Sequence, residues 1–133
     1  MSTVIQPEGW VPPRGYANGI VATGKQLFIG GQIGWNPRSS TPEFPATFVG
    51  KFELTLSNIC EVLKAAGGKP EDLTRLTVYV TDKREYLSSL KAIGAAWKKY
   101  LGRHYPAMAL VQVVALVEDL AKVEIEATAV LEN

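Results

Sequence analysis

Val123-Glu124-Ile125-Glu126-Ala127-Thr128-Ala129, close to the C-terminal end, alternates apolar and polar side chains without a break. A period of two is the mark of a β-strand, so Val123, Ile125, Ala127 and Ala129 share one face while Glu124, Glu126 and Thr128 share the other. The apolar face calls for a cover of helices, and the polar face looks at something that is not a core. Just upstream, the odd positions Ala107, Ala109, Val111, Val113 and Ala115 are small and apolar. The even positions Met108, Leu110, Val114 and Leu116 are apolar too, with Gln112 the exception. A strand over 107–117 with that pattern is expected to be covered on both faces. The link Glu118-Asp119-Leu120-Ala121 is short, which predicts an antiparallel hairpin between this strand and the next.

Outward from this pair, Leu76, Val78 and Val80 alternate with Thr77, Tyr79 and Thr81, a further half-covered strand. Asp82 followed by Glu85 starts a helix with the stripe Tyr86, Leu90, Ile93, Trp97 and Leu101, closed by Gly102. An earlier helix begins at Thr47, carries the apolar stripe Phe48, Phe52, Leu56, Ile59, Leu63 and Ala66, and stops at Gly67-Gly68 before Pro70. Gln26 to Ile33 reads as a buried strand whose Gly30-Gly31 lets another group approach the backbone, either a ligand or a neighbouring chain. Asn36 to Pro42 is a polar loop, and residues 1–15, rich in proline and glycine, form an irregular arm. One sheet and two helices make a single α+β domain over 1–133. Two helices cover only one face of that sheet, so the second apolar face is expected to meet a copy of the same chain.

Composition narrows the chemistry. A chain of 133 residues is one domain, and 14 basic against 13 acidic side chains leave +1, too little to favour phosphate backbones or anionic membranes. No signal-peptide pattern opens the sequence, and its longest apolar run is about half of the roughly 20 residues of a spanning helix. With Cys60 the single cysteine and His104 the single histidine, one subunit can form neither an internal disulfide nor a Cys/His zinc set. A reducing, cytoplasmic compartment is the expectation. His104 has no evident partner for a nucleophilic triad, and Cys60 falls among the apolar residues Leu56 and Leu63 of the first helix. The glycines from Gly30 to Gly34 lack the Lys-Ser/Thr of a phosphate loop. Lys98, Lys99 and Arg103 complement the dipole at a helix end. Carboxylates remain: Glu124 and Glu126 are either an acid or base made by partial burial, or glutamates that meet a neighbour's cations.

Taken together, Gly15-Tyr16, Gly19-Ile20, Gly30-Gly31-Gln32-Ile33 with Asn36-Pro37, Asn58, Leu63 with Ala65-Ala66-Gly67-Gly68, Tyr105-Pro106-Ala107 and Val123 to Ala127 resemble the RidA/YjgF/UK114 family over about residues 15–131. The resemblance implies a chorismate-mutase-like fold, a mixed sheet with two helices on one face. It also implies a homotrimer around a central barrel, with ligand clefts between subunits. Members of the family hydrolyse reactive enamines and imines such as 2-iminopropanoate to a carbonyl compound and ammonia, without a cofactor. Carried across, the glutamate that positions water is Glu124, the tyrosine that closes the cleft is Tyr16, and backbone contacts come from Gly31 and Gln32.

The arginine that holds the substrate carboxylate in this pattern does not carry across: here Pro106-Ala107 leads into Met108, followed by Ala109-Leu110. A charge-assisted contact of this kind is worth about 1.5–3 kcal/mol, so affinity for a small 2-imino acid should fall by at least about one or two orders of magnitude. Either Arg14 supplies the cation from the N-terminal arm, or the substrate is larger and less acidic and meets Trp35, Met108 and Leu110. The 2-aminomuconate deaminases, which the family includes, also lack this arginine. The rival to an imine hydrolase is a trimer that binds a small metabolite without turning it over. RNA cleavage, after the family's older endoribonuclease and translation-inhibitor labels, is disfavoured by the neutral charge.

Overall fold

The computed structural model describes residues 2–132. Its strands are β1 (Ser2–Ile5), β2 (Gly19–Ala22), β3 (Lys25–Ile33), β4 (Leu73–Val80), β5 (Ala107–Gln112) and β6 (Val123–Leu131). Its helices are α1 (Phe48–Ala65), α2 (Lys83–Leu87) and α3 (Leu90–Leu101). β3, β6, β4 and β5 form one mixed sheet in that order, while β1 and β2 make a separate antiparallel ribbon. The α+β class and the single mixed sheet therefore hold.

α1 begins where Thr47 accepts a hydrogen bond from the backbone N–H of Gly50 at 3.0 Å, capping an otherwise orphaned donor. Phe52, Leu56, Ile59 and Leu63 recur at helical spacing and are all but fully buried. Each contributes about 1.5–3 kcal/mol of burial energy before entropy is counted. Gly67, at φ 82°, turns the chain out of the helix, as the sequence pattern requires. Against α1 and α3 lie Leu76, Val78 and Val80 of β4 and Val123, Ile125, Ala127 and Ala129 of β6, so the helices occupy one face of the sheet.

Four expectations are corrected. β5 and β6 are not a hairpin: β5 pairs parallel with β4, and β6 runs antiparallel between β3 and β4. The connection from β4 through α2 and α3 to β5 is a helical crossover, which sets strands parallel and adjacent, and the innermost place is left to β6. Strand 107–117 stops at Gln112, whose side-chain carbonyl accepts the N–H of Lys83 at 2.8 Å. Beyond it Val114 and Val117 stand fully exposed, so that stretch is not covered on both faces. The expected second helix is two, broken at Ser88 and Ser89. The Ser88 hydroxyl bonds the Glu85 carbonyl at 3.2 Å, the local competition that serine offers a helix backbone, and Leu90 of the expected stripe is left half exposed. Finally, the arm is partly ordered as strand, with Ser2–Ile5 in register against Gly19–Ala22.

Candidate active site

Glu124, Glu126 and Thr128 sit on the face of β6 turned away from the helices, as strand alternation requires. Being central, β6 is fixed on both edges. Across β4, Glu124 stands opposite Tyr79 and Glu126 opposite Thr77. The Tyr79 hydroxyl donates to Oε1 of Glu126 at 3.2 Å. Partial burial first, then the charges of Glu126 and Glu124, push the Tyr79 phenol above its usual range, so it stays protonated and a donor. On the other edge, β3 shifts register between Ile29 and Gln32, and this irregularity brings Gly31 under Glu124. A Cβ on Gly31 would lie 2.1 Å from Oε2 of Glu124, so the carboxylate occupies space that only glycine leaves open. A cavity of about 180 Å³ on the same face is lined by Phe28, Arg75, Thr77, Glu126 and Thr128.

The loop that follows β3 is clamped from α1. Asn58, buried, donates from Nδ2 to the carbonyls of Ile33 and Trp35, both at 3.0 Å. Gly34 lets the Lys51 carbonyl approach to 2.2 Å of where a Cβ would stand. Strand β3 and its glycines are thus pinned to the helix layer.

The other residues singled out from the sequence fall in several places. Gln32 is in register with Ile125, on the helix side of β3, and donates to the Gly30 carbonyl at 3.2 Å. The Trp35 ring lies 5.9 Å from that of Phe44 and borders a cavity under the 36–42 loop. Met108 and Leu110 pair with Leu76 and Val78 and pack against the core, so within one protomer they occupy the face opposite Glu124. Tyr16 is half exposed beside the start of β5, where the next residue, Ala17, bridges Ala107. From the strand register, Tyr16 lies roughly 13 Å along the sheet and, three strand spacings away, roughly 14 Å across it from Glu124. Arg14 is exposed on the arm, with no ion pair among the described residues. One protomer therefore brings Glu124 and Gly31 together and leaves Tyr16, Arg14, Trp35, Met108 and Leu110 elsewhere.

His104 and Cys60 serve structure. The His104 Nε2 lies 2.6 Å from the Leu73 carbonyl, and the Cys60 thiol, pushed up by burial, faces the Tyr100 carbonyl at 3.8 Å. Among the described residues no three His, Cys, Asp or Glu side chains converge as a metal site. No described helix is long and apolar enough to cross a membrane. The sequence reading assigned no role to Tyr79, because its partner Glu126 is 47 residues away and only the β4–β6 pairing joins them.

A four-stranded mixed sheet backed by helices on one face, with glutamates on the other, defines a small α+β protein whose site opens on the bare side of its sheet. The profile of the Endoribonuclease L-PSP family matches residues 10–131. The 2-iminobutanoate/2-iminopropanoate deaminase of Escherichia coli K12 is 34% identical over 118 residues, which cover 86% of each chain. The crystal structure of YyfB from Yersinia pestis, a Rid-family protein of unknown function, superposes with a TM-score of 0.84 at 32% identity, covering 98% of both chains. E. coli TdcF, crystallised with bound serine, gives 0.69 at 33% identity, over 98% of this chain and 99% of its own. The chain belongs to the RidA/YjgF family, also called the endoribonuclease L-PSP family.

Proposed function

We propose that this protein is a cofactor-independent imine or enamine hydrolase, in which water held by Glu124 adds to a C=N carbon and ammonia leaves. The observation that carries this reading is the seating of the Glu124 carboxylate against Gly31 on the open face of a central strand. There Glu124 is fixed by its backbone yet open to a small ligand. Relatives at about one-third identity that are named imine deaminases supply the reaction class. A carboxylate that takes a proton from water as the oxygen adds to the imine carbon and gives it to the imine nitrogen, and then takes the proton of the carbinolamine hydroxyl as the carbonyl forms and gives it to the same nitrogen as the C–N bond breaks, does the whole acid–base task and releases ammonia.

The substrate we propose is not a small 2-imino acid. Position 108 holds methionine where the family pattern places the carboxylate-binding arginine, and Met108 packs on the core. We further propose a homotrimer in the cytoplasm. Phe28 and Val111, both exposed, and the distance between Tyr16 and Glu124 within one protomer support a cleft completed by a neighbouring copy.

The test is ammonia release from freshly generated 2-iminopropanoate and from a set of bulkier imines lacking the carboxylate, with Glu124→Gln as control. Turnover should favour the bulkier imines and vanish in the variant. No acceleration on any of them removes the hydrolase reading. Sedimentation equilibrium that finds a monomer removes the shared cleft. A second reading is binding of a small metabolite without turnover, in line with the serine bound in the TdcF crystal structure. It predicts saturable binding that survives Glu124→Gln.

A further inference from the structure

Charge is unevenly spread along the chain. Of its 14 basic and 13 acidic side chains, six basic and one acidic fall between Lys83 and Arg103, the stretch that forms α2 and α3. That stretch carries +5 where the whole chain carries +1, so the remaining residues together carry −4. Its one acid, Glu85, pairs with Lys122 at 3.4 Å, and Lys99 pairs with Glu53 of α1 at 3.8 Å. Lys83, Arg84, Lys91, Lys98 and Arg103 are exposed and have no ion pair among the described residues.

Beside these cations the helix layer is not flat. Between α1 and α3 runs a groove of about 510 Å³, lined by Val49, Ser88, Ser89, Lys91, Ala92 and Ala95. Leu87 and Leu90, which flank the two serines, are 57% and 51% exposed. A continuous helix turns Leu90 inward with Ile93 and Trp97, and the break between α2 and α3 leaves both leucines open to solvent. A pair of exposed leucines beside a groove marks a contact surface. Lys91 and Lys98, seven residues apart, lie on one side of α3 about 10 Å from each other along its axis. Ala95 falls between them, and small residues there let a second helix come close.

We propose that this surface docks an acidic amphipathic helix of another protein. Carboxylates one heptad apart on that helix meet Lys91 and Lys98, and an apolar side chain between them enters the groove. Cations that no residue of this chain neutralises call for an acidic partner, and exposed leucines call for an apolar one. Nucleic acid meets the first need but not the second. Tyr86 and Tyr100 pack on the core and Trp97 is buried, so α2 and α3 offer no aromatic face on which a base can stack. In the trimer proposed above, neighbouring copies cover the bare face of the sheet, whereas α1 and α3 pack on the other, so the surface stays open. It shares no residue with the Glu124 site and does not depend on the hydrolase reading.

The test is fluorescence anisotropy of the intact protein with a labelled helical peptide of about 20 residues, leucines on one face and glutamates a heptad apart beside them. The comparison probes are the same peptide with serine for leucine, polyuridylate, and phosphatidylserine vesicles. The leucine–glutamate peptide should bind saturably, and serine for leucine should weaken it at least about fivefold. Lys91→Glu and Lys98→Glu together should weaken it at least about tenfold at low salt, and high salt should remove most of that difference. Ala95→Gln, which fills the groove without changing charge, should weaken it about threefold or more. Lys64→Glu, about 22 Å along α1 from Val49, should change it less than about twofold.

All four positions are exposed, and circular dichroism of each variant should match the wild type. The proposal is overturned if the peptide does not bind, if serine for leucine or Ala95→Gln makes no difference, or if the Lys91 and Lys98 variant binds as well as the wild type. It is equally overturned if Lys64→Glu weakens binding as much, or if polyuridylate or the vesicles bind at these lysines while the peptide does not. Ammonia release should be the same in all of these variants as in the wild type. If the wild type releases none, the hydrolase reading falls while the docking result stands on its own.

Discussion

Adding one methyl group at Gly31 should separate activity from stability. Gly31 has no positive φ, so alanine fits its backbone, and the site is exposed on an edge strand. The new Cβ would stand 2.1 Å from Oε2, 2.9 Å from Cδ and 3.2 Å from Cγ of Glu124, so the carboxylate has to swing aside. A forced rotamer costs about 0.5–1.5 kcal/mol. Replacing glycine by alanine returns about 0.4–1 kcal/mol by restricting the unfolded chain. The two nearly cancel, and Gly31→Ala should unfold within about 1 kcal/mol of the wild type in urea. Moving a reacting group by about 1 Å, however, costs up to about 100-fold in rate. The assay is coupled detection of ammonia from the best imine substrate, with a urea melt on the same preparation. Expected is a 10- to 100-fold lower kcat at nearly unchanged stability. Wild-type kcat in Gly31→Ala would show that the seat of the Glu124 carboxylate on Gly31 has no part in turnover, and the reasoning would fail there.

Asn58→Ala strips the carbonyls of Ile33 and Trp35 of their donors and should cost about 2–4 kcal/mol in urea unfolding at unchanged m. A loss below about 1 kcal/mol would mean that the clamp is dispensable. Met108→Arg should raise kcat/KM on 2-iminopropanoate at least about tenfold if position 108 reaches the substrate carboxylate. No gain would show that packing of this residue on the helix side keeps it out of the cleft. Arg38 and Glu61 pair on the surface, and the guanidinium holds the Glu61 carboxyl below its usual value. A lowered carboxylate pKa adds stability above the usual glutamate range and loses it as pH falls through the lowered value. Any difference in urea midpoint between Arg38→Ala and wild type should therefore be small at pH 7 and close in acid or high salt. A gap that widens in acid would contradict this sign.

The faces of the elements were legible in the sequence; their neighbours were not. Alternation alone placed Val123 and Ile125 against the helices and Glu124 on the bare side, because burying a carboxylate among leucines is too costly for the other register. Where both sets of positions are apolar, as in Ala107 to Leu110, alternation cannot choose a face. Register with Leu76 and Val78 turns Met108 and Leu110 inward instead. The hairpin expectation failed for a related reason. A short link makes neighbouring strands economical, but the parallel β4–β5 crossover puts β6 between β3 and β4. The residues between β5 and β6 then span β4, held where Val113 donates to the Val80 carbonyl at 2.8 Å. The Ser88-Ser89 break had a local signal in two adjacent serines, which the continuous apolar stripe outweighed.

The same topology explains why the parts of the proposed site are held differently. Glu124 sits on a strand bonded along both edges and backed by a packed core, the arrangement that holds a base in place through a reaction. Tyr16 lies on the arm, fastened near it by a single bridge from Ala17 to Ala107 and the bond from the Ala17 N–H to the Pro106 carbonyl at 3.0 Å. The arm is further tied to its own protomer by the β1–β2 ladder and by Asn18, whose Nδ2 donates to Oε1 of Gln6 at 2.8 Å. A base and a covering tyrosine this far apart in one chain work together only when the tyrosine arrives from another copy. In the proposed trimer, then, Tyr16 would serve a neighbour's Glu124 and not its own.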